Sequence, residues 1–232
     1  MATIGGSDIV TSGLVLSLDA ANSRSYPGSG TTWTDLSGNS NNGTLTNGPT
    51  FSSANNGSIV FDGTNDFIID SSTVNIPVGS SSRTIQMWVY PTTNTNNFVQ
   101  LGTGGGGNQI YVVQYYRIGS PDYVFTDGVN GGNNLTISGA QLPTLNAWNF
   151  FVFGNSGQDY FYYLNGVSRL TGTWPVTLNT VGQKYVIGNR DDGSGFNIPI
   201  SGSVALVSIY NRALTASEIQ QNYNSQKSRF GL

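Results

Sequence analysis

The residue types that usually carry enzyme chemistry are almost absent from this chain. It contains no histidine and no cysteine, and Glu218 is its one glutamate among twelve acidic residues. Without imidazole or thiolate, a catalytic triad, a thiol nucleophile and a histidine-based metal site are all excluded. The remaining acids are aspartates, which leave two-carboxylate glycoside hydrolysis as the one familiar enzyme mechanism to consider.

The spacing around Glu218 indicates a structural role for this side chain. Thr215 stands three residues before it, which is the spacing of a helix capping box with Thr215 as the N-cap. Leu214 and Ile219 have the spacing of the hydrophobic staple that accompanies such a box. The sequence therefore predicts that Glu218 caps a short helix, and no catalytic residue is predicted.

Three aspartates, Asp35, Asp62 and Asp66, fit two interpretations. Asp62 with its following glycine and Asp66 predict a tight turn in which carboxylates accept hydrogen bonds from backbone N–H groups. The same turn, together with Asp35, could instead supply oxygen ligands to calcium, a cation that takes about six to eight of them. Hydrogen bonding within the turns is the interpretation that these residues favour, and calcium is the alternative.

A second acidic loop begins at Asp191 and Asp192 and is rich in glycine. It resembles half of a calcium-binding loop but lacks the terminal glutamate, so a solvated turn is predicted. Its adjacent carboxylates lie in a turn rather than on a rigid strand, which argues against a catalytic pair. If the chain has a ligand site, this loop and the nearby Asn197 are candidates for it.

A group of aromatic residues carries a further ligand hypothesis. Trp174 lies outside any clear strand, and with Tyr115 and three other tyrosines it could form a platform on which sugar rings stack. The other tyrosines are Tyr111, Tyr116 and Tyr162. The alternative, which we favour, is packing within a sheet or at a subunit interface, where aromatic residues are also enriched.

The composition limits the partners that this protein can have. Charged residues make up only 9% of the chain, against about 25% in ordinary soluble domains. The surface must therefore be rich in Ser, Thr, Asn, Gln, Gly and Tyr, residues typical of recognition surfaces. The net charge is −3 and the basic residues are scattered, so binding to nucleic acid is not predicted. Neither a secretory signal nor a membrane span is predicted.

The pattern of apolar residues predicts an all-β protein. Short runs rich in Val, Ile, Tyr, Phe and Trp alternate with Gly, Asn, Ser and Pro clusters, which is typical of strands in a sandwich. The predicted strands are 14–18, 58–61, 67–69, 84–90, 109–117, 123–126, 135–137, 148–153, 160–164, 185–187 and 204–210. One helix is predicted, over 216–224. The chain should form one antiparallel β-sandwich domain, 13–232, preceded by an N-terminal tail or anchor segment, 1–12.

Several segments, in order, resemble the motifs of one known family. They are D-L-S-G-N-S-N-N-G at 35–43, F-D-G-T-N-D at 61–66, T-I-Q-M-W-V-Y-P at 84–91, the tryptophan-to-Asn-Gly segment 148–166, and I-Y-N-R-A-L-T-A-S-E-I at 209–219. The chain is thereby similar to the laminin-G-like (pentraxin-like) branch of the concanavalin A-like lectin/glucanase superfamily. The resemblance covers roughly residues 13–224 and implies a jelly-roll sandwich.

The resemblance also sets expectations for chemistry. The glucanase branch uses a strand motif with closely spaced glutamates, which this chain lacks, so the resemblance does not imply an enzyme. Members of the laminin-G-like branch often bind calcium near the loops that carry Asp35, Asp62 and Asp66, with an aspartate from the closing strand. Here that strand, 203–207, has no acid. We therefore expect no cofactor, with calcium as the alternative.

The C-terminal segment, 220–232, is similar to the tail of laminin-G-like proteins encoded by marine tailed bacteriophages. This resemblance implies a non-enzymatic structural or decoration protein on the virion surface. Such a protein would dock on other virion proteins through its N-terminal tail, as a homo-oligomer. The alternative is an extracellular lectin module that binds carbohydrate and attaches its carrier to cell-surface glycans.

Overall fold

Short runs of β-branched and aromatic residues, separated by turns, form two antiparallel sheets in the computed structural model of the chain. The structure describes residues 8–70, 73–103, 109–116, 122–126, 134–191, 195–196 and 198–232. Sheet A contains β1 (Leu14–Asp19), β4 (Thr50–Ser52), β5 (Ser58–Asp62), β7 (Arg83–Pro91), β12 (Asn149–Ser156), β13 (Asp159–Leu164), β14 (Val167–Thr173) and β16 (Ser201–Tyr210). Sheet B contains β2 (Thr32–Trp33), β3 (Gly43–Thr46), β6 (Phe67–Asp70), β8 (Thr95–Leu101), β9 (Tyr111–Tyr116), β10 (Asp122–Thr126), β11 (Leu135–Ile137) and β15 (Tyr185–Ile187).

The order of strands explains how distant parts of the sequence come together. Sheet A has the order β14-β13-β12-β7-β16-β5-β4, and β1 also pairs with β16. Sheet B has the order β11-β10-β9-β8-β15-β6-β3-β2. One α-helix, α1 (Ala216–Gln226), follows the last strand and continues into a 3₁₀ turn, Lys227–Phe230. This arrangement confirms the predicted antiparallel sandwich closed by a short C-terminal helix.

The core lies between the two sheets, and strand alternation decides which side chains enter it. In β7, Ile85, Met87 and Val89 point into the core, whereas Trp88 points to the other face of sheet A. In β12, Phe151 points inward and its neighbours point outward, so this strand is apolar on both faces. Both patterns follow from the geometry of a strand, in which successive side chains point to opposite faces of the sheet.

Part of the outer face of sheet A is covered by the C-terminal helix. A second apolar cluster forms there, in which Trp88 and Phe150 on the sheet pack with Ile219 of α1 and Phe230 of the 3₁₀ turn. The rings of Trp88 and Phe230 are stacked, with centroids 4.1 Å apart. Isolated helices of this length are only marginally stable in water, so packing against this face supplies most of the stability of α1.

A fully paired polar network lies inside this second cluster. The Asn222 side-chain Nδ2 donates to Gln86 Oε1 at 3.0 Å and to Tyr210 Oη at 3.1 Å. Asn222 Oδ1 accepts from the Val10 N–H at 2.8 Å, and the Tyr210 hydroxyl donates to the Val10 carbonyl at 2.9 Å. The chain around Val10 is therefore fastened to both α1 and sheet A. The predicted tail, 1–12, is described only from residue 8 onward.

The start of α1 has the capping box that the sequence predicts. Thr215 Oγ1 accepts from the Glu218 N–H at 3.3 Å, and Glu218 Oε2 accepts from the Thr215 N–H at 2.8 Å. Arg212 adds two hydrogen bonds to the same carboxylate, at 2.9 and 2.6 Å. These hydrogen bonds, those from Arg212 above all, hold the pKa of Glu218 at about 2. The structural interpretation of the one glutamate is confirmed.

Across the described ranges, the helices are too short or too polar to span a lipid bilayer.

Candidate functional site

Two strands of sheet B turn amide side chains toward its outer face and bury them. Asn97 of β8 lies opposite Gln114 of β9, and Gln100 lies opposite Val112. All four side chains are 0% exposed. The residues that alternate with them, such as Val113, point into the core between the sheets. A register shift in β8 between Asn97 and Val99 helps to set which side chains face outward.

The connection between β15 and β16 lies over this outer face and contacts it through hydrogen bonds. Gln100 Oε1 accepts from the Asp191 N–H at 2.9 Å, and Gln100 Nε2 donates to the Asp191 carbonyl at 2.8 Å. Asn97 Nδ2 donates to the Asn189 carbonyl. Asn189 Oδ1 accepts from the Ile198 N–H at 3.0 Å, which brings the two ends of the connection together. The connection thus covers part of sheet B.

Several buried amide atoms at this place have no hydrogen-bond partner among the residues that the structure describes. They are Gln114 Oε1 and Nε2, Asn97 Oδ1 and Asn189 Nδ2. We call Asn97, Gln114 and Asn189 the amide cluster, because the first two oppose each other and the third contacts the first. An unpaired buried polar group costs about 1–3 kcal/mol, and native proteins contain few of them. The cluster offers two acceptors and two donors, which is the complement of a ligand bearing hydroxyl groups.

An exposed aromatic ring lies at the edge of the same region. Phe196 stacks on Phe67 with ring centroids 3.9 Å apart and planes inclined by 14°, and 38% of Phe196 is exposed. Lys184 Nζ lies 5.9 Å from the Phe196 centroid and forms an ion pair with Asp191. The ion pair neutralises the one described carboxylate of the acidic loop. The charges of Lys184 and Asp191 therefore cancel, and the region consists mainly of an apolar ring and amide groups.

The structure places the predicted ligand residues in different environments. Trp174 and Tyr115 are 2% and 4% exposed and belong to the core between the sheets, so they do not form an exposed stacking platform. Tyr111 and Tyr162 are buried as well, and packing within the sandwich is the correct interpretation for all four. Asp191 lies beside the amide cluster at the edge of sheet B.

Three of the residues named from the sequence cannot be placed. Asp192 and Asn197 lie outside the described residues, and so does the side chain of Tyr116.

The other aspartates are engaged in turns, as the favoured interpretation predicts. Asp35 is buried, and its carboxylate accepts from the Ser17, Ser37 and Asn41 N–H groups and from the Ser37 hydroxyl. In the second turn, Asp62 accepts from the Thr64 N–H and Asp66 accepts from the Asp62 N–H. The described residues contain no group of three acidic side chains that could hold a metal ion, so Asp35 is not joined to Asp62 and Asp66 in such a group.

The amide cluster and Phe196 were not named from the sequence. Gln114 was placed within a predicted strand, and its polar side chain among Val and Tyr residues was the signal that could have drawn attention to it. Asn97 lies in a segment rich in asparagine. Asparagine disfavours strand formation, so β8 was not predicted from the sequence. Asn189 and Phe196 flank the acidic loop that the sequence did single out.

The fold and its motifs can be compared with known proteins. A laminin-G-like family model, described as the concanavalin A-like lectin/glucanases superfamily, matches residues 61–220. This match spans more than half of the chain. The chain belongs to the concanavalin A-like lectin/glucanase superfamily. A sequence comparison with curated proteins gives no match. The family resemblance stated from the sequence motifs is therefore confirmed, whereas the resemblance to phage proteins has no counterpart in these comparisons.

Solved structures share the sandwich at low sequence identity. One is domain 4 of AbnA, an extracellular arabinanase from Geobacillus stearothermophilus, in complex with arabinotriose: TM-score 0.69, 17% identity, 90% of this chain and 98% of that chain. A second is the botulinum neurotoxin serotype D ligand-binding domain in complex with N-acetylneuraminic acid: TM-score 0.65, 13% identity, 94% and 52%. A third is Trypanosoma rangeli sialidase in complex with sialic acid: TM-score 0.65, 18% identity, 97% and 35%.

At these identities, the likeness concerns the fold alone. The chain spans nearly all of the arabinanase domain, about half of the toxin structure and about a third of the sialidase. The superfamily fold is of the lectin-like, carbohydrate-binding type, which fits a non-enzymatic domain, although some of the similar structures come from glycosidases.

Proposed function

We propose that this protein is a non-enzymatic carbohydrate-binding domain and that its ligand site is the outer face of sheet B. The observation that carries the proposal is the amide cluster, because Gln114, Asn97 and Asn189 bury polar atoms for which the described residues offer no hydrogen-bond partner. Sugar hydroxyls can donate and accept at the same time, so one saccharide can pair with amide oxygens and amide nitrogens together. The exposed Phe196 ring supplies an apolar surface at the edge of the site.

Access to the cluster requires a change in what covers it. The described part of that cover is the β15–β16 connection, which Gln100 holds through the Asp191 backbone and which the Phe196–Phe67 stack holds at its edge. A ligand that lifts this connection replaces the two hydrogen bonds of Gln100 to Asp191 and the one from Asn97 to Asn189, but it satisfies amide atoms that have no partner among the described residues. The domain therefore binds its ligand by induced rearrangement of a loop rather than in a rigid groove.

The absence of enzyme activity is part of the proposal. The chain has no histidine or cysteine, and its one glutamate is engaged in a cap and an ion pair. The arabinanase domain bound to arabinotriose shows that this sandwich can hold a saccharide, and arabino-oligosaccharides are a first class of ligand to test here.

The test is a glycan-array screen followed by calorimetry with the glycans that bind. Gln114→Leu is expected to weaken binding by about tenfold or more, because it removes two hydrogen-bonding atoms from the site. Phe196→Ala should weaken it by a smaller factor. Gln220→Leu on the exposed side of α1 and Leu145→Ala at a surface loop are the matched controls, and neither should change affinity. Binding that is indifferent to Gln114→Leu would place the site elsewhere.

A second proposed role is that of a structural or decoration component of a phage virion, where carbohydrate binding would serve attachment. Its support is the resemblance of the C-terminal segment, 220–232, to marine phage proteins and the low charge of the surface. In that role the protein would lie on the virion surface as a homo-oligomer and dock through its N-terminal residues. Co-purification of the protein with intact particles in a density gradient is the expected result, and its absence from such particles overturns this role.

A further inference from the structure

A cleft lies on the outer face of sheet A, beyond the part that α1 covers. It has a volume of about 430 Å³, within the roughly 300–1,000 Å³ typical of small-molecule sites. Its walls come from the β13–β14 hairpin, from the end of β12 and from the loop that leads into α1. We call it the sheet A cleft. Its lining includes Ser156, Asp159, Phe161, Thr171, Thr173 and Leu214.

The floor of the cleft contains an aromatic ring that lies against the sheet. Phe161 of β13 is directly opposite Gly154 of β12, and a Cβ atom at position 154 would lie only 2.4 Å from Phe161 Cζ. Glycine at this position therefore lets the ring rest on the neighbouring strand instead of standing away from it. The ring is half-buried and lines the cleft with Leu214. It provides the apolar surface on which the C–H groups of a sugar ring can pack.

Polar groups line the other side of the cleft. The Thr173 hydroxyl donates to Asp159 Oδ1 at 2.5 Å, which orients the carboxylate. Asp159 Oδ2 accepts no hydrogen bond from the described part of the chain, so it can accept one from a ligand. Thr171 lies opposite Phe161 on the adjacent strand, and Ser156 ends β12 nearby. Hydrogen bonds to an ionised carboxylate are roughly twice as strong as neutral ones.

The combination of groups selects a class of ligand. Among the described residues, no lysine or arginine lines the cleft, and Asp159 contributes a carboxylate, so an anionic ligand is disfavoured. An apolar ring facing several hydroxyl groups and a carboxylate suits a neutral molecule with one apolar face and a rim of hydroxyl groups. We propose that the sheet A cleft is a second saccharide site, which takes one ring of a neutral sugar. This site stands apart from the amide cluster and does not depend on it.

The experiment uses ¹⁵N-labelled full-length protein carrying Gln114→Leu, which disables the site proposed on sheet B. The probes are methyl β-D-glucopyranoside, methyl β-D-galactopyranoside and arabinotriose. At least one probe is expected to shift the backbone amide signals of Asp159, Phe161 and Thr171 in a saturable way. Asp159→Ala should then weaken binding by about tenfold or more, whereas the control Asp8→Ala should leave it unchanged.

A variant of the ring provides a test that does not depend on the carboxylate. Phe161→Leu keeps an apolar side chain over Gly154 but removes the flat ring, so the protein should remain folded and bind the sugar several-fold more weakly. If none of the three probes shifts the signals of the cleft, the proposal is overturned. A response of these signals only to tetramethylammonium or to an apolar peptide would also overturn it. Failure of the sheet B proposal gives a different result, in which Gln114→Leu leaves saccharide binding to the wild-type protein unchanged.

Discussion

The outer faces of both sheets bury amide side chains, but Asn222 against sheet A and Gln114 on sheet B differ in whether their polar atoms are paired. On sheet A, the Asn222 amide pairs with Gln86, with Tyr210 and with the backbone of Val10, so its donors and its acceptor are all used. On sheet B, both polar atoms of the Gln114 amide are buried without a partner in the described part of the chain. The two side chains are equally inaccessible, since each is 0% exposed.

This difference separates a structural role from a binding role. A satisfied buried network stabilises one arrangement of the chain and makes that arrangement specific. An unsatisfied one costs stability, and a protein retains such a cost where a partner completes the hydrogen bonds. Burial alone therefore says little about what a polar side chain does. The number of its hydrogen-bonding atoms that remain unused is the informative quantity.

The largest effect is expected for Asn222→Leu. This change should lower the free energy of unfolding by about 3 kcal/mol, because it removes the partner of Gln86 Oε1 and that of the Val10 N–H, both of which are buried. Urea denaturation followed by tryptophan fluorescence measures it. Asn224→Leu, on the exposed side of the same helix, is the matched control and should change stability by less than about 0.5 kcal/mol. Equal effects of the two changes would mean that the hydrogen bonds of Asn222 do not stabilise the fold.

An intermediate effect on stability is expected at the capping box of α1, the helix that packs against the outer face of sheet A. Glu218→Gln should lower the free energy of unfolding by about 1 kcal/mol at neutral pH, because it weakens the capping box and removes the exposed pair with Arg212. The pKa of Glu218 is lowered to about 2 in the folded protein, so the stabilisation is complete above the unfolded pKa near 4.5. It should fade as the pH falls through that interval toward 2.

Thermal melts of the wild type and Glu218→Gln across this pH range give the measurement. The difference in Tm should be largest at neutral pH and close to zero near pH 2. A difference that stays constant down to the lowest pH would mean that the charge of Glu218 contributes nothing to stability.

The smallest effect on stability is expected for Gln114→Leu. Replacing an unpaired buried amide with an apolar side chain of similar size removes a desolvation cost, so stability should change by less than about 1 kcal/mol or rise. The same urea titration that reports on Asn222→Leu measures it directly. A loss as large as that of Asn222→Leu would mean that Gln114 is well paired inside the protein, and the proposed carbohydrate site would lose its main support.

Most of the fold could be predicted because its signals are local. The alternation in β7 and the two apolar faces of β12 depend on consecutive residues alone. The Asn165–Gly166 turn has the positive φ angles, 53° and 76°, that its hairpin requires. The strands that the sequence did not identify lack such signals. Strand β8 begins with Thr and two Asn residues, and β14 carries Ser, Arg, Thr and Gly, so neither has the composition of a strand.

The site was harder to predict because it depends on pairing between distant strands. Asp191 could be named from its acidic loop, but that loop meets sheet B through contacts with residues distant in sequence, such as the pairing of Gln100 with the Asp191 backbone. Trp174 remained a candidate for a stacking platform because β14, which ends just before it, was not recognised, so the burial of the ring could not be predicted. Which amides face outward in β8 follows from a register shift that no local pattern reveals.

The hydrogen bonds of Val10 also determine when the N-terminal part of the chain can fold during synthesis on the ribosome. Val10 and Asn222 are 212 residues apart in the chain, and β1 pairs with β16, the last strand. At roughly 5–20 residues per second, the first strand must wait on the order of 10–40 s for its partners to emerge from the ribosome. A nascent chain halted before residue 222 is therefore expected to stay sensitive to protease along β1, and a chain extended past residue 232 should become resistant.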